Sequence, residues 1–461
     1  MCEGIAAELN GIDLGDKRLE KRCVKILEAL AADPEASVNA AMRGWPETNA
    51  AYRFFQNPSV TPEAILAPHI EATKQRIAEE PVVLILQDTT ELDFSKHPPR
   101  DAKCLNKDTR HGLYDHTHLA VTPDRLCLGV VGQEQFAREP ESLGKTDERV
   151  NWPIEEKESF RWLTGYRLAS DLAGVHPNTQ VVSIADREAD IYDIFVEAER
   201  HPSPAEFVIR AKEPRCTPDL VPGGGRAEYQ KVTDLVRASK LRSRKTVDLP
   251  KTPKREARQA VLEIRATRVT LKPPHARSGL PQVAMNVVLA EEVNGPGDGT
   301  DVSWRLLTSL PIGTLEDVLR VVDYYATRWC IEVYFRTLKA GCRVEEMQLE
   351  TVDRVRNCLA FYKIVAWRVL QLTHLHRECP TLPCTAVFDD AEWKSVWRIT
   401  TRKALPKAVP SLAEFVPLLA SLGGYNCRAG DPPPGPQALW IGIRRMTDFA
   451  LAWLAFGPQE E

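Results

Sequence analysis

The sequence predicts a mixed α/β fold, helical at both ends and interrupted by an antiparallel β insertion. Three observations predict it. A short apolar run, VVLILQ (82–87), suits a central strand buried on both faces and leads onto Asp88, and a second apolar strand, QVVSIAD (180–186), ends on Asp186. Helical periodicity dominates the first 70 residues and returns from residue 314. Between them, residues 213–312 are rich in Pro, Gly and basic residues and carry alternating apolar runs. At ~150 residues per domain, a chain of 461 allows about three. The expected division is a helical region at 1–70, an α/β domain at 71–365 with its insertion at about 213–312, and a helical region at 366–461.

The elements follow in order. LGDKRLEKRCVKILEALAADP places Leu14, Leu19, Val24, Ile26 and Leu27 near one stripe, with Lys and Arg between them. A second helix runs through NAAYRFF and stops at Asn57-Pro58, and Thr61-Pro62-Glu63 starts a third. The period changes at Pro81. The 82–87 strand is expected to end on Asp88, and HTHLAVT (116–122) and LCLGVVGQ (126–133) flank Pro123-Asp124 as a hairpin. EKESFRWLTGYRLASDLAG (156–174) reads as a helix, QVVSIAD as a strand, READIYDIFVEAER (187–200) as a helix and AEFVIRAK (205–212) as a strand. In the insertion, AVLEIRATRVTLK, QVAMNVVLAEEV and SWRLLTSLP read as antiparallel strands. TLEDVLRVVDYYATRWCIEVYFRTLKAGC (314–342) is helical again, and helical character runs on through about 377. AGDPPPGPQ forms a Pro-rich linker before a last helix at 437–456, which carries Leu439, Ile443, Met446, Ala450, Trp453 and Leu454 on one stripe.

Composition sets bounds on function. Apolar residues make up 43% and charged residues 27%, an ordinary globular balance. No apolar run reaches the ~18 residues of a membrane span. The N-terminus lacks the apolar core of a signal peptide, so a cytoplasmic location and no membrane partner are expected. The 11 cysteines are scattered singly, which suits reduced thiols and disfavours a structural zinc site. Lys+Arg is 60 against Asp+Glu 64, a net charge of -4. Yet Lys240 to Arg277 holds 12 Lys/Arg and 3 Asp/Glu, a local +9, leaving -13 elsewhere. That concentration keeps a polyanionic partner open.

Asp88 and Asp186 each close an apolar strand, and adjacent strands would bring both carboxylates to one sheet edge. Two carboxylates held close need a cation between them or a proton on one, and hard oxygen ligands favour Mg²⁺ or Mn²⁺. Taken singly, each Asp is more often a helix cap or turn residue. The helix at 325–339 changes that balance. At 100° per residue, Tyr325, Arg328, Glu332 and Lys339 fall at about 0°, -60°, -20° and -40°, with Arg336 at about 20° and Trp329 at about 40°. One stripe therefore carries an acid, three bases and two aromatics, while Ile331, Val333, Tyr334, Phe335 and Leu338 take the other faces. Such a stripe suits a metal-bound phosphodiester with DNA laid along the helix.

The spacing Tyr325-x2-Arg328-x3-Glu332-x6-Lys339 resembles the YREK signature of bacterial cut-and-paste DDE transposases, the IS-four family and within it the transposon-five type. LGDKRLEKR (14–22), AYRFFQNPSVTPEAI (51–65), LQDTT (86–90), ADREADIY (185–192), FVIRAK (207–212), LLTS (306–309) and LGGYNCRAGDPPPGPQALW (422–440) stand in the family's order along essentially the whole chain.

The resemblance implies an RNase H-like core with catalytic, metal-ligating Asp88, Asp186 and Glu332 and two Mg²⁺ (or Mn²⁺) ions per site. It implies DNA contacts by Tyr325, Arg328, Arg336, Lys339, Arg210 and Lys212. Trp304 matches an insertion Trp that captures a flipped base, and Trp329 matches the side chain that wedges into the vacated space. Arg336 stands where the family often has Lys, and Gln348 replaces an expected basic residue. The N-terminal region would bind DNA, and the Pro-rich segment and last helix would dimerise two chains. The implied partners are transposon-end and target DNA and a second copy in a synaptic dimer, with no small-molecule substrate and a nucleoid-associated location. Similar enzymes nick one strand, form a hairpin with the freed 3′-OH, reopen it and join the end to target DNA. A divalent-metal nuclease without strand transfer, and a catalytically silent DNA-binding inhibitor, are the competing readings.

Overall fold

The computed structural model describes residues 4–140, 152–221, 228–249, 256–428 and 430–457. Helices α1 (Lys17–Ala32), α2 (Val38–Met42), α3 (Trp45–Gln56) and α4 (Pro62–Ala78) come first. Side-chain oxygens of Asp16, Ser37 and Thr61 accept from backbone N–H groups at the starts of α1, α2 and α4, as N-cap residues do. The α/β domain then adds β1 (Val82–Asp93), β2 (Gly112–Val121), β3 (Cys127–Phe136), α5 (Phe160–Val175), β4 (Gln180–Ala185), α6 (Tyr192–Arg200) and β5 (Glu206–Arg210).

The insertion contributes β6 (Cys216–Leu220), β7 (Tyr229–Lys231), α7 (Val232–Ala238), β8 (Leu241–Leu249), β9 (Arg258–Leu271), β10 (Val283–Glu292) and β11 (Ser303–Thr308). It does not form a sheet of its own. A single nine-stranded sheet runs β3-β2-β1-β4-β5-β11-β10-β9-β8, so the insertion prolongs the central sheet beyond β5, and only β6 and β7 pair apart from it. Within it, β1 to β3 form an antiparallel meander, and β4 and β5 add in parallel on the other side of β1. That order and polarity are those of an RNase H-like core. Helix α7 lies in a stretch where alternation alone predicts strands.

The apolar runs explain the layering. Along β1, Leu84 and Leu86 face one core, and Val83 and Ile85 face the other. The first core joins the sheet to the N-terminal helices and to α8 (Leu315–Thr327), α9 (Trp329–Arg336) and α10 (Val352–Glu378). The second lies under α5 and α6. Gly165 lets α5 approach closely: a Cβ there would stand 2.2 Å from Gln87 Oε1 and 2.3 Å from His118 Nε2. One ion pair is sealed inside. Lys363 on α10 donates to Asp115 at 2.7 Å and to Thr117 at 3.1 Å, with both charged side chains fully buried.

The third cluster assembles α11 (Asp390–Thr401), α12 (Leu412–Leu422) and α13 (Pro436–Phe456). Here the expected single stripe on the last helix divides. Leu439, Ile443, Met446 and Ala450 are buried against their own chain, but Leu454 is 73% exposed and Phe456 89%. Helix α13 also reaches back to the N-terminal helices, where Trp440 Nε1 donates to Glu35 at 3.2 Å and Thr447 Oγ1 to the Ala32 carbonyl at 2.9 Å. Cys2, Lys251, Lys254, Arg255 and residue 429 of the Pro-rich linker lie outside the described residues. The ten described cysteines are all free. No helix of the described residues is long and apolar enough to cross a membrane.

Candidate active site

The site forms where two parallel strands stop pairing. Strands β1 and β4 are in register from Val82–Gln180 to Gln87–Ala185. The next residues on the two strands are Asp88 and Asp186. Contrary to expectation, β1 does not end at Asp88, because its other edge stays paired with β2 through Asp93. The apolar run stops there because the strand leaves the shelter of β4. Strand β4 ends as expected, and Asp186 opens a short turn at Arg187–Ala189. The predicted helix at 187–200 is therefore this turn followed by α6, with Asp190 and Ile191 between them.

Each aspartate is oriented by a nearby backbone N–H. Asp88 Oδ1 accepts from Thr89 at 2.8 Å, and Asp186 Oδ1 accepts from Glu188 at 2.8 Å. Asp186 is thus a cap as well as a sheet-edge acid.

The third acid arrives from the helices after the insertion. Thr314 and Asp317 form a reciprocal capping box that starts α8. The helix predicted across 325–339 is interrupted at Arg328, between α8 and α9, and it finishes in a π-helical turn at Thr337–Gly341. Cys342 N there donates to the Thr337 carbonyl at 2.9 Å. Such wide turns recur at functional sites.

At the interruption, Arg328 Nη1 donates to Asp88 Oδ2 at 2.9 Å, and Nη2 pairs with Glu332 Oε1. One guanidinium therefore joins the first acid to the third. The Asp88 carboxyl is pushed up to about 7, first by burial and then by Asp186 and Glu332, with Arg328 and the Thr89 N–H opposing. Burial works against the Arg328 charge, but Tyr325, Asp88 and Glu332 outweigh it and raise its pKa.

The other predicted residues take distinct places. Tyr325 is buried, and its ring meets Trp304 edge-on at 5.2 Å. Burial raises the Tyr325 phenol, and Arg328 and Arg210 oppose that rise. Arg210 Nη2 donates to the Ser303 carbonyl at 3.0 Å, beside Trp304. Lys339 lies further along β1, donating to the Glu91 carbonyl at 2.8 Å and pairing with Glu345 at 3.1 Å. Trp329, Arg336 and Lys212 are exposed. Asp88, Glu332, Arg328, Tyr325, Trp304 and Arg210 thus form one connected group, with Asp186 at its edge and Lys339 docked on Glu91, three residues further along β1 than Asp88.

Sequence reasoning missed the layer beneath. Thr89 Oγ1 meets His116 Nδ1 at 2.9 Å and accepts from Arg161 Nε at 3.0 Å. None of these has a motif or a spacing to announce it.

The donor set can be weighed for a metal. Three carboxylates offer hard oxygen ligands. No group of three or more candidate ligands is gathered around one point among the described residues. Arg328 instead supplies the cation to Asp88 and Glu332. The residues fit a divalent ion in chemistry, with Arg328 as the group that must yield.

Comparison with known families adds three matches. Residues 1–60 match a family model for transposase DNA-binding, residues 181–367 the transposase DDE domain, and residues 364–453 the transposase Tn5 dimerisation domain. Asp186 and Glu332 lie inside the DDE match. Asp88 lies ahead of it, so its place rests on the strand register. Among solved structures, a piggyBac transposase synaptic complex with hairpin DNA aligns over 100% of this chain and 79% of that one, at 9% identity and a TM-score of 0.34. That likeness is too loose to carry an argument.

Proposed function

We propose that this chain, which belongs to the Tn5-like DDE transposases, excises a DNA element at its inverted ends and joins the freed 3′-OH ends to target DNA. The observation that carries the reading is the meeting of Asp88 and Glu332 on Arg328 at the fork where β1 parts from Asp186.

Asp88, Asp186 and Glu332 are the residues that would hold divalent ions, Mg²⁺ or Mn²⁺ and two per site. These supply activation of the attacking oxygen and stabilisation of the leaving one. The protein's own side chains do the rest. Arg328, released from the acids, holds the scissile phosphate as a two-pronged donor. Tyr325 and Lys339 fix the strand on either side of it. Arg210, Lys212 and Arg336 take backbone phosphates, which position DNA without reading its sequence. No covalent intermediate with the protein is required.

A hairpin demands a sharply bent strand, which extrusion of a base relieves. Trp304 sits beside Tyr325 where it can stack on such a base, and exposed Trp329 is free to enter the gap it leaves. The N-terminal helices, residues 1–70, grip the element's end, residues 71–365 perform the chemistry, and residues 366–461 pair two chains. Exposed Leu451, Leu454 and Phe456 at the tip of α13 give that pairing an apolar contact. The reaction takes place on cellular DNA, in the cytoplasm and at the nucleoid.

The test incubates the protein with Mg²⁺ and DNA bearing the inverted ends that flank its gene. Hairpin intermediates and joined products are expected. Nicks without joining would make it a nuclease, and end binding without cleavage would make it an inhibitor.

A further inference from the structure

The register of β1 and β4 ends at Gln87–Ala185, and Asp88 and Asp186 stand just past it, where the two strands begin to part. Arg161, on α5, spans that gap. Its Nε donates to Thr89 Oγ1 at 3.0 Å and its Nη2 to Glu188 Oε2 at 2.9 Å, while Nη1 donates to the Glu158 carbonyl at 2.6 Å. Thr89 and Glu188 are the two residues whose backbone N–H groups orient Asp88 and Asp186. One guanidinium therefore touches both arms of the fork.

The fork is held from behind as well. Arg161 is only 8% exposed and lies against the rings of Phe136 and Trp162, at 5.3 and 5.5 Å. His116 fixes the Thr89 hydroxyl from the far side, and Arg138 grips the Glu158 carboxylate at 2.8 and 2.7 Å. A buried guanidinium is costly unless its donors are satisfied, and here each of its three nitrogens donates to an acceptor on a different segment.

We infer that Arg161 is a positioning residue that sets the separation and aim of Asp88 and Asp186, and through them the affinity for a divalent cation. The inference rests on the reading of those two aspartates as ligands. Lysine would not replace it, since a single ammonium cannot reach Thr89 and Glu188 with the fixed fork of a guanidinium.

The experiment measures Mn²⁺ binding to the full chain by electron paramagnetic resonance, with metal-free binding of end DNA as a companion. Arg161→Gln and Glu188→Gln should each weaken Mn²⁺ binding by about 10- to 100-fold, the usual range for partners of metal ligands. Arg161→Lys should recover little of it, and end-DNA affinity should stay unchanged. The double variant should be no worse than Arg161→Gln alone, because one clamp is lost either way. Wild-type Mn²⁺ affinity in both single variants, or losses that add in the double, would overturn the inference. Should Arg161→Gln fail to fold, Glu188→Gln decides by itself, since that side chain is 62% exposed: weaker binding supports the clamp and unchanged binding overturns it. Asp88→Asn separates the two failures. If it also keeps wild-type Mn²⁺ affinity, the site reading falls and the clamp with it. If it loses Mn²⁺ while Arg161→Gln does not, only the clamp falls.

Discussion

The molecule carries two cationic regions of opposite design. Lys240 to Arg277 has the higher charge by count, +9. Most of its described cations have a partner within the fold. Arg244 meets Glu263, Lys245 meets Asp323, Arg258 meets Glu292, and Arg265 meets Glu263. Arg242 donates to the carbonyls of Ile312 and Gly313, Lys272 lies over the Tyr229 ring, and Arg277 is 3.8 Å from Asp193. Among the described residues of this segment, Lys240 and Arg268 remain without such a partner.

The stripe from Tyr325 to Lys339 has fewer cations, used differently. Arg328 is spent on the acids of the site itself and Lys339 on Glu345, while Arg336 is exposed with no ion pair among the described residues. Lys212 is likewise exposed, with no ion pair among the described residues. The contrast teaches that a local charge sum measures composition, while pairing decides what is left for a polyanion.

Among the cations of the two regions, Arg328→Ala should have the largest effect, since it leaves Asp88 and Glu332 without their shared cation. We expect a loss of about 1–3 kcal/mol in the metal-free protein by denaturant titration, within the range for breaking partly buried pairs. Single-turnover cleavage of end DNA should fall by about 10²-fold. An unchanged rate would place Arg328 with the insertion's structural cations.

Next comes pH. The Asp88 carboxyl stands at about 7 in the folded protein, above the ~3.9 of an unfolded chain, so the native state binds the extra proton between those values. Its ionisation therefore costs stability as pH rises through 7, and protonation restores it as pH falls towards 4. Without metal, Asp88→Asn should be the more stable protein at pH 8, with the difference shrinking by about 1–3 kcal/mol by pH 5. A difference that is flat with pH would show Asp88 to be an ordinary exposed carboxylate.

Smaller effects sharpen the contrast in DNA binding. Arg336→Ala and Lys212→Ala should each reduce the slope of log affinity against log salt by about 1. Arg244→Ala and Lys245→Ala should barely change that slope and should alter stability by no more than about 0.5–1 kcal/mol, as exposed pairs do. If the insertion variants lose more slope than the stripe variants, the contrast is reversed.

Much of this was legible in sequence. The apolar runs pointed to β1 and β4, the hairpin at Pro123-Asp124 to β2 and β3, and the spacing from Tyr325 to Glu332 to a stripe whose Arg328 and Glu332 the structure brings to Asp88. Three things escaped for physical reasons. Asp88 lies inside a strand because hydrogen bonding to β2 outlasts the apolar run, and a hydrophobic pattern records burial, not pairing. The insertion joins the main sheet because β11 docks on β5, a contact between residues about 100 apart. Arg161, Lys363 and the cation pairing of the insertion depend on partners far along the chain, which local spacing cannot display.

The central claim is that Asp88, Asp186 and Glu332 perform metal-dependent cleavage at the fork of β1 and β4. Single-turnover cleavage of end DNA by Glu332→Gln tests it most directly, with end binding measured alongside. The expected result is intact binding and cleavage reduced by about 10³-fold, equivalent to ~4 kcal/mol of transition-state stabilisation. Cleavage at the wild-type rate by a variant that binds its ends normally would contradict the claim.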